Sequence, residues 1–300
     1  MLNRIKRLVV ASAIGVVLGS LAASYVVAEG SVHIWQRPKP DAELAEAVAR
    51  PVGASWESVQ VTAKDGVLLS AWLFTPRRSN GSAVILLHGV GDTRAGSLSA
   101  AAFLVRTGYT VLTPDCRGHG SSGGDFISYG IRETGDVRAW SDWLFEYRPI
   151  ERLYGWGASM GGAILLQSLP MEPRFRALVA DSPFASFEEV AYDRVAQVSG
   201  IWRPAGWPVV NIGLVYARAR YGLDLREASP ADAVRATHVP ILLIHGTRDT
   251  NIPVRHSREL HALNPSATVF WEVPGAGHVQ SQSAHPQEYA RRVTEWFQTH

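Results

Sequence analysis

Six short apolar runs punctuate the chain, at residues 83–87, 110–112, 153–156, 178–180, 241–244 and 269–273. They are apolar almost throughout instead of alternating with polar residues. Strands of that composition must be covered on both faces, as in a parallel sheet between two helical layers. Stretches with helical spacing lie between them, at 98–106, 136–145 and 160–169. Strand alternating with helix predicts an α/β chain with a doubly wound, mostly parallel sheet. Ahead of it, 58–63 alternates, Asp65-Gly66 is a turn signal and 67–74 returns. That pattern predicts an antiparallel entry hairpin closed off by Pro76. Length scaling would allow about two domains in 300 residues. One doubly wound domain over 55–300 absorbs nearly all of it.

Composition removes several function classes. Of 29 basic residues only Lys6, Lys39 and Lys64 are lysines, and the arginines are scattered. A nucleic-acid surface needs a basic stripe with aromatics among it, and none is visible. No nucleic-acid partner is therefore expected. Cys116 is the only cysteine, so no internal disulfide can form. The Cys and His spacings of zinc sites are absent, and no metal is expected.

The N-terminus reads as a membrane segment. Arg4, Lys6 and Arg7 precede an uncharged run at 8–28, 21 residues long. A helix needs about 20 apolar residues to span a bilayer. Flanking positive charge stays in the cytoplasm, which puts the rest of the chain outside. Residues 1–30 are thus expected to be an uncleaved signal anchor in the cell membrane, single-pass. The competing reading is a secretory signal cut after Val26-Val27-Ala28, leaving a secreted or periplasmic protein. Residues 31–54 read as a tether, with Trp35 near the membrane exit, a stiff Arg37-Pro38-Lys39-Pro40 and a short helix over 41–50.

One segment breaks the rhythm. Residues 185–235 separate two strands that a single helix should join. They hold Trp202, Pro204, Trp207 and Pro208 and an apolar run up to Tyr216. A long connection of this kind is expected to be a small lid over the active site, with Trp202, Trp207 and the run 209–215 offering apolar surface to an acyl chain. The alternatives are packing on the core or contact with the nearby membrane.

Four motifs then arrive in order, each at the end of an expected strand. Gly157-Ala158-Ser159-Met160-Gly161 follows the 153–156 strand and opens a helix, the context a nucleophile elbow requires. Ser159 is the candidate nucleophile and the Met160 N–H a candidate oxyanion donor. His88-Gly89-Val90-Gly91 follows the 83–87 strand, and the Val90 N–H is the candidate second donor. His88 itself reads as structural. Asp249 follows the 241–244 strand through His245-Gly246-Thr247-Arg248. His278 follows the last strand in Pro274-Gly275-Ala276-Gly277-His278. In the order Ser, Asp, His these make a nucleophile, an orienting acid and a general base. Asp181, also at a strand end, is the rival acid.

With those residues in view, the chain resembles the α/β-hydrolase superfamily, and within it the membrane-anchored and serine-aminopeptidase-like hydrolases. The matching pieces are the His88-Gly89 loop, Asp115-Cys116-Arg117-Gly118-His119-Gly120-Ser121-Ser122, the elbow, Asp181-Ser182-Pro183-Phe184, the run from His245 to Asp249, and Gly277-His278. They cover about residues 56–300. The resemblance implies a serine hydrolase without cofactor or metal, and gives Arg117 and His119 structural places beside the site. The expected reaction is cleavage of a carboxylic ester or related acyl bond through an acyl-enzyme, on a small-molecule or lipid-like acyl substrate. A peptidase, an amidase or an acyltransferase uses the same scaffold. The non-enzyme alternative is a membrane-tethered binding module with a vestigial triad.

Overall fold

The computed structural model describes residues 2–33, 38–200 and 202–300. Trp35 and Arg37, read as parts of a tether, lie outside the described residues. The first element is the helix α1 (Leu2–Val32), followed by α2 (Ala42–Ala49). The hairpin follows as β1 (Ser55–Thr62) and β2 (Leu68–Thr75), then β3 (Ser82–Leu87), α3 (Leu98–Arg106), β4 (Thr110–Pro114), α4 (Glu133–Tyr147) and β5 (Arg152–Ala158). Next are α5 (Met160–Ser168), β6 (Phe175–Asp181), α6 (Phe187–Ser199), α7 (Trp207–Tyr221) and α8 (Pro230–Ala236). The chain closes with β7 (Ile241–Gly246), α9 (Arg255–Leu263), β8 (Thr268–Val273), α10 (Ser281–Ala284) and α11 (Pro286–Thr299).

The eight strands form one sheet in the order β1-β2-β4-β3-β5-β6-β7-β8. Strand β2 runs antiparallel to β1 and to β4, and every later pair is parallel. The doubly wound expectation is borne out, and its cause is visible along β3. Ala83, Ile85 and Leu87 enter the core under α4, α5, α8 and α9. Val84 and Leu86 enter the other, under α2, α3 and α11. Side chains alternate between faces, so only an unbroken apolar run satisfies both layers.

Two boundaries differ from the sequence reading. Residues 31–54 are not all tether. Asp41 caps α2 by accepting from the Glu43 N–H, and Ala45 and Ala49 are buried against the sheet's helical cover. The presumed lid is also shorter than 185–235. Helices α6 and α7 stand off the sheet, but α8 buries Ala231 and Val234 in the core beneath α5 and closes that layer.

The end of α1 is part of the folded domain. Ser24, Ala28 and Val32 are buried, one turn apart on one face. They meet α7, where a Cβ added to Gly213 would lie 3.4 Å from the Ser24 carbonyl. Glu29 accepts from the Tyr216 hydroxyl at 2.6 Å and from Tyr221. The Ile127 N–H donates to the Val32 carbonyl at 3.1 Å.

Candidate active site

Strand β5 delivers Ser159 into a turn that few residues could make. Its backbone sits at φ 54° and ψ −118°, outside the regions an L-residue prefers. Such a conformation costs about 1–3 kcal/mol and persists only where its surroundings enforce it. Here they do. The Ser159 N–H donates to the Asp181 carbonyl at 2.7 Å, and α5 begins at once behind it. A Cβ on Gly157 would collide with the Gly161 backbone, and one on Gly161 with the Leu87 carbonyl. Glycine at both places is what lets strand, turn and helix pass so closely. The result is a serine hydroxyl held out at the helix N-terminus, with the Met160 N–H at the first helical position and no carbonyl in its own helix to meet.

The other chemistry comes from the β7 and β8 ends. His278 Nε2 lies 2.9 Å from Ser159 Oγ, and His278 Nδ1 lies 2.7 Å from Asp249 Oδ2. The structure thus brings Ser159, His278 and Asp249 together, and places Asp181 elsewhere. Asp181 accepts from the Tyr289 hydroxyl at 3.0 Å and from Ser182 Oγ at 3.0 Å. Burial pushes its carboxyl up to about 6 against those bonds. Asp249 goes the other way. Burial would raise it, but hydrogen bonds from His245, His278 and the Ile252 N–H hold it far below the usual carboxylate range. An aspartate that stays ionised can fix the imidazole tautomer and stabilise an imidazolium.

The loop after β3 is braced from below by two histidines. The Cys116 N–H donates to His88 Nε2 at 3.0 Å, and the Gly91 N–H to His119 Nε2 at 3.2 Å. Each ring must therefore be neutral with its proton on Nδ1, facing the Gly89 and Arg117 carbonyls. Burial lowers both, His88 to about 4. Beneath them Arg94 pairs with the buried Asp115, and Arg117 bridges Asp136 and Asp65. This fixes Val90 beside Ser159, where both border a cavity of about 330 Å³. The cavity wall is mainly apolar, with Phe184, Phe187 and Val190 on one side and Val27 and Gly30 of α1 on another. Beyond His278 an open polar groove runs past Arg194, Arg248 and Gln280.

The sequence profile of the prolyl oligopeptidase family matches residues 94–300. The chain belongs to the prolyl oligopeptidase family. It is 29% identical to YqkD of Bacillus subtilis over 218 residues, 71% of this chain and 70% of that protein. It is 24% identical to the peptidase YuxL of Bacillus subtilis, over 81% of this chain and 39% of YuxL. Among solved structures it resembles the Pyrococcus furiosus esterase Pf2001, with 25% identity, TM-score 0.69, and coverage of 84% of this chain and 95% of the esterase. Est1E of Butyrivibrio proteoclasticus shares the fold at 21% identity and TM-score 0.64, over 80% and 98% of the two chains. This prolyl oligopeptidase family member is an α/β-hydrolase, as its motifs implied, and a serine hydrolase.

Two features of this family member were not read from its sequence. His245 Nε2 faces both the Ile252 carbonyl at 2.8 Å and Asp249 Oδ2 at 3.2 Å. Two acceptors require a proton on Nε2, so Nδ1 accepts from Ser257 Oγ at 2.7 Å. His245 thereby supports Asp249 from behind. The second is Asp193 on α6, which faces Arg203, Arg255 and His256 Nε2 at 2.9, 2.6 and 2.9 Å. It fastens α6 over the site, and those pairs hold its carboxyl down to about 2 against burial. The lid tryptophans are a correction. Trp202 and Trp207 do not border the Ser159 cavity. Both are exposed, Trp207 because α7 spends its buried side (Val210, Gly213, Leu214, Ala217) on α1 and α6.

Proposed function

We propose that this protein is a serine esterase that hydrolyses carboxylic esters with an apolar acyl part. Ser159 Oγ attacks the ester carbonyl as its proton passes to His278 Nε2, and Asp249 stabilises the imidazolium. The Val90 and Met160 N–H groups receive the oxyanion, a contribution of about 3 kcal/mol each in enzymes of this kind. The His278 proton goes to the leaving alcohol, and water repeats the sequence in reverse on the acyl-enzyme. The supporting observation is the 2.9 Å contact between His278 Nε2 and Ser159 Oγ at the base of an apolar cavity. The resemblance to Pf2001 points the same way. A peptidase reading draws on the family and on YuxL. Against it, no carboxylate that could hold a peptide amine borders the Ser159 cavity among the described residues.

Labelling by a fluorophosphonate probe, followed by a panel of p-nitrophenyl esters and aminoacyl or prolyl amides, tests this. Ester turnover exceeding amide turnover at equal concentration is expected. Efficient amide cleavage with inert esters would replace the esterase reading by the peptidase one.

We further propose that α1 is an uncleaved anchor, with Arg4, Lys6 and Arg7 in the cytoplasm and the catalytic domain outside. The helix over Arg4–Val32 is long and apolar enough to cross a membrane or to act as a signal. The burial of Ser24, Ala28 and Val32 on α7 favours retention, since cleavage after Ala28 would strip part of that packing. A C-terminal phosphatase reporter should be active only outside the cytoplasm, and the mature N-terminus should be intact. A reporter active only inside overturns the orientation.

A further inference from the structure

Three observations converge on the junction of α1, the lid and the Ser159 cavity. The first is the cavity wall. Val27, Gly30 and Ser31 at the end of α1 face Phe187 and Val190 of α6 across the space that leads to Ser159. The Tyr129 hydroxyl donates to the Ser31 carbonyl at 2.8 Å, so this stretch of backbone is fixed where it borders an apolar space. Gly30 borders the cavity, and a Cβ added to it meets nothing within 4 Å, so a larger side chain there has room to extend.

The second is helix direction. Gly213 of α7 meets Ser24 and Ala28, Tyr216 meets Tyr25 and Glu29, and Tyr221 meets Glu29 and His33. Both sequences advance together, so α7 runs parallel to α1. Trp207 is six residues before Gly213, about 9 Å along the axis towards the cytoplasmic end of α1. It is therefore level with about residue 20, inside the 8–28 run.

The third is what the chain shows around the start of α7. Val198 is 80% exposed, Trp202 78% and Trp207 61%. These are three large apolar residues within ten positions of one another, Trp207 opening the helix that packs on α1 and Val198 on the rim of the groove beyond His278. They match a surface that enters lipid, where tryptophan is favoured near the headgroups.

Building on the esterase reading, we propose that the substrate is a lipid-resident ester. Its acyl chain passes from the outer leaflet into the Ser159 cavity along the end of α1, and Val27 and Gly30 set the chain length accepted. The helix that anchors the enzyme is then also a wall of its substrate site. The lid tip, Val198 with Trp202 and Trp207, sits in the same leaflet.

The test uses the full chain reconstituted in phosphatidylcholine vesicles, assayed on p-nitrophenyl acetate and p-nitrophenyl laurate. In Gly30→Leu and in Val27→Trp the laurate-to-acetate ratio of kcat/KM should fall at least ten-fold, with fluorophosphonate labelling reporting that the site is formed. A ratio unchanged in both variants overturns the proposal, whether or not both rates drop. Failure of the esterase reading looks different, since the wild-type chain would then turn over neither ester. In a second arm, bimane is placed at Val198→Cys, the native Cys116 thiol being buried. Shallow doxyl-labelled lipid should quench it by half or more, and leave bimane at Met171→Cys bright. Equal quenching at both places, or none at 198, overturns the lipid contact.

Discussion

His245 Nε2 sits 3.2 Å from the same Asp249 oxygen that faces His278. Asp249 is thus held between two imidazoles, with the Asn251 and Ile252 N–H groups on its other oxygen at 2.8 and 2.9 Å. Replacing His245 by Gln should misplace the acid and lower kcat roughly 10- to 100-fold. KM should change little, because no substrate group is lost. Steady-state kinetics on a short ester checks this, and a loss confined to KM would contradict the positioning role.

Ser159→Ala and His278→Ala should each remove nearly all turnover, by about 10⁶-fold, and the double variant should be no worse than either. Circular dichroism should show both folded. Turnover near wild type in either variant would remove that residue from the chemistry.

Asp249→Asn should cost about 10⁴-fold in kcat, because an amide cannot hold the imidazole in the productive tautomer. Asp181→Asn should leave most activity, since Asp181 is engaged by Tyr289 and Ser182 instead of His278. The reverse ranking in kcat would make Asp181 the acid.

Asp181 should instead be visible in stability. Burial raises its carboxyl from 3.8 to about 6, so the folded state holds that proton more tightly than the unfolded chain does. Its contribution is full below about pH 4 and is lost as pH rises through 6, by about 3 kcal/mol at most. Measured as Tm, Asp181→Asn should therefore gain on the wild type between pH 5 and pH 8. The difference matters more than either curve, because His88, lowered to about 4 by burial, pulls stability the opposite way over much of that window. A Tm difference independent of pH would mean Asp181 ionises normally.

Asp193→Ala should loosen α6 from the site by leaving His256 Nε2 without its carboxylate, and Arg203 and Arg255 with Glu189 alone. The loss is up to about 3 kcal/mol, tempered because Arg203 and Arg255 remain partly in water. Hydrogen exchange should rise over 187–199 first. Unchanged exchange there would mean apolar packing alone holds the helix.

The parallel strands could be read from sequence because burial on both faces leaves a chemical signature within each strand. The candidate site could be read because its residues sit at strand ends, beside glycines whose only purpose is close approach. What stayed hidden depends on partners distant in sequence. Asp193 and His256 are 63 residues apart, and nothing local marks either. The outward turn of Trp207 was not visible either, since α7 is apolar on most sides and only contact with α1 decides which side is buried. A signal did exist in Ser20, Ser24 and Ala28, small residues one turn apart that allow a helix such as α7, with its Gly213, to approach closely. The helix α2 is legible in the sequence, but its docking on the domain is not, because its buried face is two alanines, too small to stand out.

The pairing of Glu29 with Tyr216 joins residues 187 apart. During synthesis α1 emerges first, and α7 follows about 10–40 s later at ribosomal speed. As the anchor proposed above, α1 would wait in lipid, because a helix satisfies its own backbone there. The face of α7 that packs on it would have no such refuge. On that proposal, assembly of the pocket beside Ser159 is a late event that needs α1 already in place beside the emerging α7. A chain lacking its first 32 residues would uncover the side of α7 around Gly213, and should be sticky in solution even with Ser159, His278 and Asp249 in place.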